Sequence, residues 1–337
     1  MLKKNVPAPT FGISSSLSAP LSLGKKAMPS FLTGLELNSK ELLKLLHSAV
    51  ELKRQKQQKI PHAYLAGKQM ALLFEKPSLR TRFSFTAAMN DLGGHVIEAI
   101  SDHQKNETPE DLGKVLGSYV DVIVYRCHAH EKLERIQKVC KIPVVNALSD
   151  DHHPCQALAD ALTLWEAWGA FEGKKLAYVG DGNNVLNSLL YVLPALGVSV
   201  SCASPAGYQV TDEVKFKAKA RCKYGATVEF FEDPALAVQG ADAIYTDVWT
   251  SMGFEEESQK REVAFKGYQI NAGLYAVAAP GAAIMHCMPI ERGKEITEEM
   301  VIHPSSVIYQ QAENRLHVQK ALLLNFLMDS KIAHAAN

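Results

Sequence analysis

The feature of this 337-residue chain that most constrains its fold is a repeated alternation of short apolar segments with segments of helical periodicity. Each apolar segment has the length and the aliphatic character of a buried strand. Strands that alternate with helices form parallel sheets, because the connection between two parallel strands is long enough to hold a helix. The apolar segments are residues 69–74, 95–100, 121–125, 143–146, 198–202, 227–231 and 243–246, together with KKLAYV before Gly180. We therefore predict an α/β fold built on parallel sheets.

The length of the chain suggests more than one such unit. A chain of 337 residues corresponds to about two domains, and a hydrophobic content of 47% is enough for two packed cores. The turn at residues 169–173 contains two glycines and is a candidate boundary. The last amphipathic segment, AENRLHVQKALLLNFL, needs a partner for its apolar face, and we expect it to pack on the first domain.

Two helices near the amino terminus can be outlined from their periodicity. Residues 38–58 form one amphipathic helix, with Ser39 as a candidate cap. A second helix runs from Arg80, with Phe83 and Leu92 on its apolar side, until two glycines end it.

Composition excludes two classes of protein. Lys and Arg number 36, as do Asp and Glu, so the formal net charge is zero and we expect no nucleic-acid partner. No apolar run approaches the length of about 20 residues that spans a bilayer, so we expect no membrane partner. The six cysteines lack CxxC spacing, which indicates a reducing compartment and predicts a cytoplasmic protein without disulfides or a structural zinc site.

The first thirty residues differ from the rest of the chain. They contain four lysines, many serines and prolines, and no acidic residue. We interpret residues 1–30 as a disordered leader. A mitochondrial transit peptide is the alternative, but arginine is absent before Arg54 and no amphipathic helix is evident.

The motif FEKPSLRTRFSF places hydroxyls and guanidinium groups where a predicted strand gives way to a helix. Ser78 is the candidate N-cap, and the free N–H groups of a helix start attract an oxyanion. Ser78 and Thr81 add hydroxyl donors, and Arg80 and Arg82 add planar forks that suit phosphate. The alternative is a solvated basic turn paired with Glu75. The concentration of hydroxyl and guanidinium donors in this short motif favours a phosphate-binding site over a solvated turn.

Further polar residues follow later predicted strands. Arg126 lies at the carboxyl end of one strand, where ligands bind in open α/β sheets, although a surface charge is the alternative. His153 and Gln156 precede or begin a helix that runs to about Trp168; the histidine ring can donate to a carbonyl oxygen and the glutamine can recognise an amide. A metal cluster with the nearby histidines is disfavoured, because their spacing matches no ligand pattern. These nearby histidines are His128, His130 and His152.

The second half of the chain contains a glycine-rich turn and two unusual loops. In GDGNNV, Val185 occupies the place of the third glycine of a dinucleotide fingerprint, so the fingerprint fails and a nicotinamide oxidoreductase is disfavoured. Asn184 instead offers an amide at the end of a strand. In the loops DVWTSMG and HCMP, Asp247 and Cys287 can bind or orient an amine, although a cysteine is more often a small buried hydrophobe.

Five motifs in this order carry a family resemblance: SLRTR, HPCQ, DVWTSMG, HCMP and AENRLHVQKA. The chain from about residue 31 to residue 327 resembles the aspartate/ornithine carbamoyltransferases, and the last loops resemble the ornithine branch. One departure is Leu79, where members of the family often have threonine; this matters little if the position contributes its backbone N–H.

The resemblance implies two domains, each with a central parallel sheet flanked by helices, and an active site in the cleft between them. It implies a carbamoyl phosphate-binding domain at residues 31–155, completed by a carboxyl-terminal helix at 316–337, and an ornithine-binding domain at 156–315. It also implies a homo-oligomer, a trimer with sites near subunit interfaces, and a loop that carries Lys105 towards a neighbouring subunit. A merely solvated Lys105 is the alternative.

The resemblance also implies the site residues. The residues implied for carbamoyl phosphate are Ser78, Leu79, Arg80, Thr81, Arg126, His153, Pro154 and Gln156. The residues implied for L-ornithine are Asn184, Asp247, Ser251 and Met252, with Cys287, Met288 and Arg315 completing the site. The residues expected to act in catalysis are Arg80, Arg126, His153, Asp247 and Cys287.

The implied reaction is transfer of a carbamoyl group to the side-chain amine of ornithine, giving citrulline and phosphate, with no metal or organic cofactor. We expect Cys287 to orient the amine. A covalent carbamoyl-cysteine is the alternative, but it requires a base that activates the thiol. Another acceptor, such as putrescine, an acylated ornithine or aspartate, is the alternative within the family, and a non-catalytic phosphate-binding homologue is the alternative outside it. The direction of flux stays open.

Overall fold

The computed structural model describes residues 30–100, 107–250 and 255–328. The predicted leader, except for its last residue, and the predicted site residues Ser251 and Met252 lie outside these ranges, as does Lys105. No helix in the described ranges combines the length and the apolar character that crossing a membrane requires.

The amino-terminal half forms a five-stranded parallel sheet. Its strands, in chain order, are β1 (Ser30–Phe31), β2 (Gln69–Phe74), β3 (His95–Ile100), β4 (Val122–Arg126) and β5 (Val144–Leu148). The spatial order is β1-β5-β4-β2-β3. The helices that connect these strands are α1 (Ser39–Gln57), α2 (Leu79–Asp91), α3 (Pro109–Leu116) and α4 (His130–Val139).

The carboxyl-terminal half repeats this architecture after the long helix α5 (Pro154–Trp168). Its strands are β6 (Lys175–Val179), β7 (Ser199–Ala203), β8 (Val228–Phe231), β9 (Ala243–Thr246) and β10 (Ala283–His286), in the parallel order β10-β9-β6-β7-β8. The helices are α6 (Asn184–Val192), α7 (Asp212–Arg221), α8 (Pro234–Val238), α9 (Ser258–Ala264), α10 (Ala272–Tyr275), α11 (Glu298–Val301) and α12 (Ile308–Leu327). The predicted class, two helix-flanked parallel sheets, is confirmed.

Two local predictions are wrong for physical reasons. Helix α1 is capped by Asn38 rather than Ser39, because the Asn38 side chain accepts the N–H groups of Lys40 and Glu41 while the Glu41 carboxylate bonds back to the Asn38 N–H. On α2 the buried side runs through Phe85, whereas Phe83 is 66% exposed.

Helix α12 crosses from the second half of the chain to the first. It packs against α1, α2 and α5, and also contacts β10. Its buried residues include Val318, Leu322 and Leu323, which join a core cluster that contains residues of both sheets. The predicted domain limits at 155/156 and 315/316 fall inside α5 and α12, which are continuous helices, and these limits stay a prediction.

Candidate active site

A cleft of about 1020 Å³ lies between the two sheets. The polar residues around it come from the carboxyl ends of strands in both sheets, which is where ligands bind in open α/β folds. The predicted residues that line it are Ser78, Leu79, Arg80, Thr81, Arg126, His153, Asn184, Asp247, Cys287, Met288 and Arg315. Two more, Pro154 and Gln156, are buried in the first turn of α5 behind this wall.

Three guanidinium groups meet on the first-domain side of the cleft. Arg126 donates to Ser78 Oγ at 3.1 Å, and Arg315 donates to Thr81 Oγ1 at 2.7 Å and to Gln156 Oε1 at 3.2 Å. Burial, together with the neighbouring charges of Arg315 and Arg80, lowers the pKa of Arg126 to about 10. Burial lowers the pKa of Arg315 as well. An anion in the cleft offsets this repulsion and desolvation, so the cluster is suited to phosphate.

The start of α2 adds backbone donors to this cluster. Ser78 has the extended backbone of an N-cap, as predicted, but its side chain makes no capping hydrogen bond and accepts from Arg126 instead. Ser78 is therefore the N-cap residue by position, and its hydroxyl belongs to the arginine cluster rather than to the helix. The first N–H groups of α2 keep their electropositive character, which favours an oxyanion at this point.

Only one of the two arginines in the SLRTR motif faces the cleft. Arg80 lines it, whereas the exposed Arg82 forms an ion pair of 2.6 Å with Glu98 on β3. Arg82 was expected to supply a phosphate fork, and the structure does not support this. Glu75 does not pair with this turn either, because its carboxylate bonds the Tyr125 hydroxyl, the His128 N–H and Lys132. The alternative of a basic turn neutralised by Glu75 is therefore wrong.

His153 lies beside the arginines and is held through its backbone, whose N–H donates to Ser188 Oγ at 2.9 Å. Burial lowers the pKa of the imidazole well below its usual value, and the charges of Arg315 and Arg126 lower it further. The ring is therefore neutral, and its Nδ1 has no hydrogen-bond partner among the described residues. A neutral imidazole carries one N–H and one acceptor nitrogen, so this ring can donate to a ligand carbonyl oxygen.

Asp247 and Cys287 form the opposite wall. The Cys287 thiol donates to Asp247 Oδ1 at 2.9 Å, and Asn183 donates to Asp247 Oδ2 at 2.7 Å. Burial raises the pKa of the Cys287 thiol well above its usual value, and the Asp247 carboxylate raises it further. The thiol therefore stays protonated and is a poor nucleophile.

The neighbouring His286 cannot serve as the base for this thiol. Its Nδ1 accepts the backbone N–H of Met288 at 2.9 Å, so its proton is on Nε2, which lies 3.0 Å from a carboxylate oxygen of Glu295. Among the described residues, Asp247, His286 and Cys287 form the one group with the spacing of metal ligands. Both ring nitrogens of the histidine are already used, and the thiol is a donor, so this set does not present the free lone pairs that a metal needs.

The structure adds residues that the sequence did not single out. Asn183, one position before the predicted Asn184, caps α6 by accepting the N–H groups of Val185 and Leu186 and also holds Asp247. The Asn184 side chain donates to the Ser149 carbonyl at 2.6 Å. The preference of asparagine for N-caps was the available signal, because the helix begins directly after Asn183. A buried ion pair of 2.7 Å between Asp181 and Arg261 was also missed.

Comparison with known proteins identifies the family around this geometry. Residues 30–166 match the model described as aspartate/ornithine carbamoyltransferase, carbamoyl-P binding domain, and residues 172–326 match the Asp/Orn binding domain of the same family. The chain is similar to a protein named ornithine carbamoyltransferase from Bacillus subtilis (strain 168), with 48% identity over 296 residues, which is 87% of this chain and 92% of the relative. A protein named ornithine carbamoyltransferase, anabolic, from Pyrococcus furiosus is 45% identical over 267 residues, 78% of this chain and 85% of the relative. The solved structure of ornithine carbamoyltransferase from Pyrococcus furiosus aligns with a TM-score of 0.87 and 42% identity, covering 89% of this chain and 97% of that one.

Proposed function

The chain belongs to the aspartate/ornithine carbamoyltransferase family, and from this premise we propose that it transfers the carbamoyl group of carbamoyl phosphate to the side-chain amine of L-ornithine. The products are L-citrulline and phosphate. One observation carries the proposal: a cluster of three guanidinium groups beside a helix start faces a carboxylate–thiol pair across one cleft. The first half suits an acyl phosphate, and the second suits an amino acid.

The first-domain wall supplies the electrostatic part of the reaction. Arg80, Arg126 and the start of α2 bind the phosphate, and they stabilise the charge that develops on it as the C–O bond breaks. Neutral His153 donates to the carbonyl oxygen, where negative charge grows during attack. Leu79 contributes through its backbone N–H. Gln156 on α5 and Arg315 on α12 complete this wall from beyond the first-domain limit, with Thr81 bonded to Arg315.

The second-domain wall orients the acceptor. Asp247 attracts an ammonium group of ornithine, and Cys287 and Asn184 fix the position of the chain beside it. The side-chain amine must be neutral when it attacks, and a phosphate oxygen takes its proton afterwards. Placing two small ligands in register supplies much of the acceleration. The names of the relatives support ornithine over putrescine or an acylated ornithine.

The direct test is a citrulline-formation assay with carbamoyl phosphate and a panel of amines. Ornithine is expected to be carbamoylated, whereas putrescine, N-acetylornithine and aspartate are expected to react poorly. Turnover with putrescine but not with ornithine would overturn the acceptor assignment. An absence of turnover with every amine would overturn the enzymatic assignment.

The pH dependence provides a second prediction. A lysine-type amine titrates near a pKa of about 10.4, so its neutral fraction rises about tenfold for each pH unit below that value. His153 stays neutral and Cys287 stays protonated, because their pKa values are shifted away from the neutral range in opposite directions. We expect kcat/KM for ornithine to rise with pH from about 6 to about 8 without a step near the ordinary pKa of histidine, about 6.5. Steady-state kinetics in a buffer of constant ionic strength measures this pH dependence. A step at a pH of about 6.5 in the wild-type profile that is absent from the profile of His153→Asn would contradict the prediction.

The protonated state of Cys287 predicts the result of replacing it. Because the thiol acts as a hydrogen-bond donor to Asp247, Cys287→Ser is expected to keep turnover and mainly raise the KM for ornithine. Alkylation of wild-type Cys287 by iodoacetamide at neutral pH is expected to be slow, and mass spectrometry measures it. Rapid alkylation, or a serine variant that cannot turn over at all, would favour the covalent carbamoyl-cysteine.

The proposal also covers the oligomeric state of the protein, its cellular compartment, the direction of the reaction and the limits of the two domains. We infer a homotrimer. The exposed apolar side chains of Leu79, Phe83 and Ile97 near the first sheet support this assembly, and light scattering would measure its mass.

Six free cysteines support a reducing, cytoplasmic location. The relative named anabolic supports the direction of citrulline synthesis. We propose that the first domain comprises residues 31–155 together with residues 316–337, and that the second comprises residues 156–315.

A further inference from the structure

We propose that Asp160 is a positioning residue that holds the two walls of the site in register, an inference that rests on the proposed carbamoyl transfer. Asp160 lies on α5, is fully buried, and does not line the cleft. Its carboxyl group nevertheless has partners on α5, β9 and α12, and each partner leads to one wall of the site.

The first branch leads to the arginine cluster. Gln156 Nε2 donates to Asp160 Oδ1 at 2.8 Å, one helical turn earlier on the same helix. An amide has one donor end and one acceptor end, so a carboxylate at its nitrogen fixes the direction of its oxygen. That oxygen accepts from Arg315 Nη1 at 3.2 Å, and Arg315 continues to Thr81 Oγ1 at 2.7 Å. Asp160 therefore fixes the orientation in which the Gln156 oxygen accepts from Arg315, and through Arg315 it positions the arginine cluster.

The second branch leads to the acceptor wall. Gln311 Nε2 donates to Asp160 Oδ1 at 2.7 Å, and Gln311 Oε1 accepts the backbone N–H of His286 at 3.0 Å. His286 directly precedes Cys287. The Tyr245 hydroxyl donates to Asp160 Oδ2 at 3.2 Å, and Tyr245 lies two residues before Asp247 on β9. One carboxyl group thus fixes both loops that place the amine.

A carboxyl group at this depth is unfavourable unless its oxygens are hydrogen-bonded. Burial outweighs the opposing effect of the hydrogen bonds from Gln156, Gln311 and Tyr245, and the pKa of Asp160 is raised to about 7. An apolar side chain of similar volume would fill the space without that cost. The site needs the carboxylate oxygens of Asp160 as hydrogen-bond acceptors, because without them the amides of Gln156 and Gln311 would lose the partner that orients them.

Three variants separate positioning from a purely structural role. Asp160→Ala removes the acceptor, and we expect kcat/KM to fall about a hundredfold, with raised KM values for both carbamoyl phosphate and ornithine. Asp160→Asn keeps an oxygen towards the two glutamines and an N–H₂ group towards the Tyr245 oxygen, so it should recover most of that loss. Gln311→Leu breaks only the second branch and should raise the KM for ornithine while the affinity for inorganic phosphate, measured by calorimetry, stays unchanged.

The outcomes are distinguishable. A wild-type chain that forms no citrulline refutes the proposed function, whatever the variants do. An active wild type, together with an Asp160→Ala variant that loses thermal stability and active fraction but keeps both KM values, overturns the positioning role. If Asp160→Ala does not fold, Gln311→Leu decides: a change confined to ornithine supports the inference, whereas equal changes for both ligands, or none, overturn it.

Discussion

Arg80→Ala is expected to lower kcat/KM for carbamoyl phosphate by about two to three powers of ten, which is the usual loss when one preorganised donor to a developing oxyanion is removed. Arg80 lines the cleft beside Arg126 and Arg315, and the variant removes the fork that reaches the phosphate from the start of α2. Steady-state citrulline formation measures the loss, and circular dichroism shows whether the fold is retained.

Arg82→Ala is the matched control for this experiment. Arg82 lies two residues further along the same helix, but it is exposed and paired with Glu98. An exposed ion pair contributes about 0–1 kcal/mol, so this variant should keep nearly normal kinetics. Similar losses in both variants would mean that overall positive charge, rather than the fork at position 80, binds the phosphate.

Asp247→Asn is the second large effect that we expect. The change keeps the size of the side chain but removes the charge that attracts the amino acid, and losing one partner of a buried charged contact costs about 2–5 kcal/mol. We expect kcat/KM for ornithine to fall about a hundredfold or more, while calorimetry shows unchanged binding of inorganic phosphate.

Asp242→Asn is the control for that variant. Asp242 and Asp247 lie directly before and after β9, and Asp242 pairs with Lys174 away from the cleft. Its replacement should leave ornithine kinetics unchanged. A loss of phosphate binding in Asp247→Asn would show that the carboxylate supports the whole cleft rather than the acceptor.

The strands were predictable because their signal is local. Segments 69–74, 95–100 and 243–246 appear in the structure with the predicted limits, since each is a short apolar run between turn residues. The anion-binding character of the SLRTR motif was predictable for the same reason, because hydroxyls, arginines and a helix start are adjacent in sequence.

The directions of side chains were not predictable, because they depend on partners that are distant in sequence. Arg80 and Arg82 look equivalent in the motif, and only the pairing of Arg82 with Glu98 on β3 turns one of them away from the cleft. The Ser78 hydroxyl could have capped α2, but Arg126 on a neighbouring strand takes it. Asp160 has one local partner, Gln156, but the role proposed for it depends on Tyr245 and Gln311, which lie 85 and 151 residues further along the chain.

The most direct measurement of the central claim is a crystal structure with a bisubstrate mimic in which a phosphonate replaces the phosphate and is joined to ornithine. We expect the phosphonate to contact Arg80, Arg126 and the first N–H groups of α2, and the amino-acid end to lie beside Asp247 and Cys287. A mimic bound outside the cleft, with the guanidinium groups turned towards solvent, would contradict the proposal.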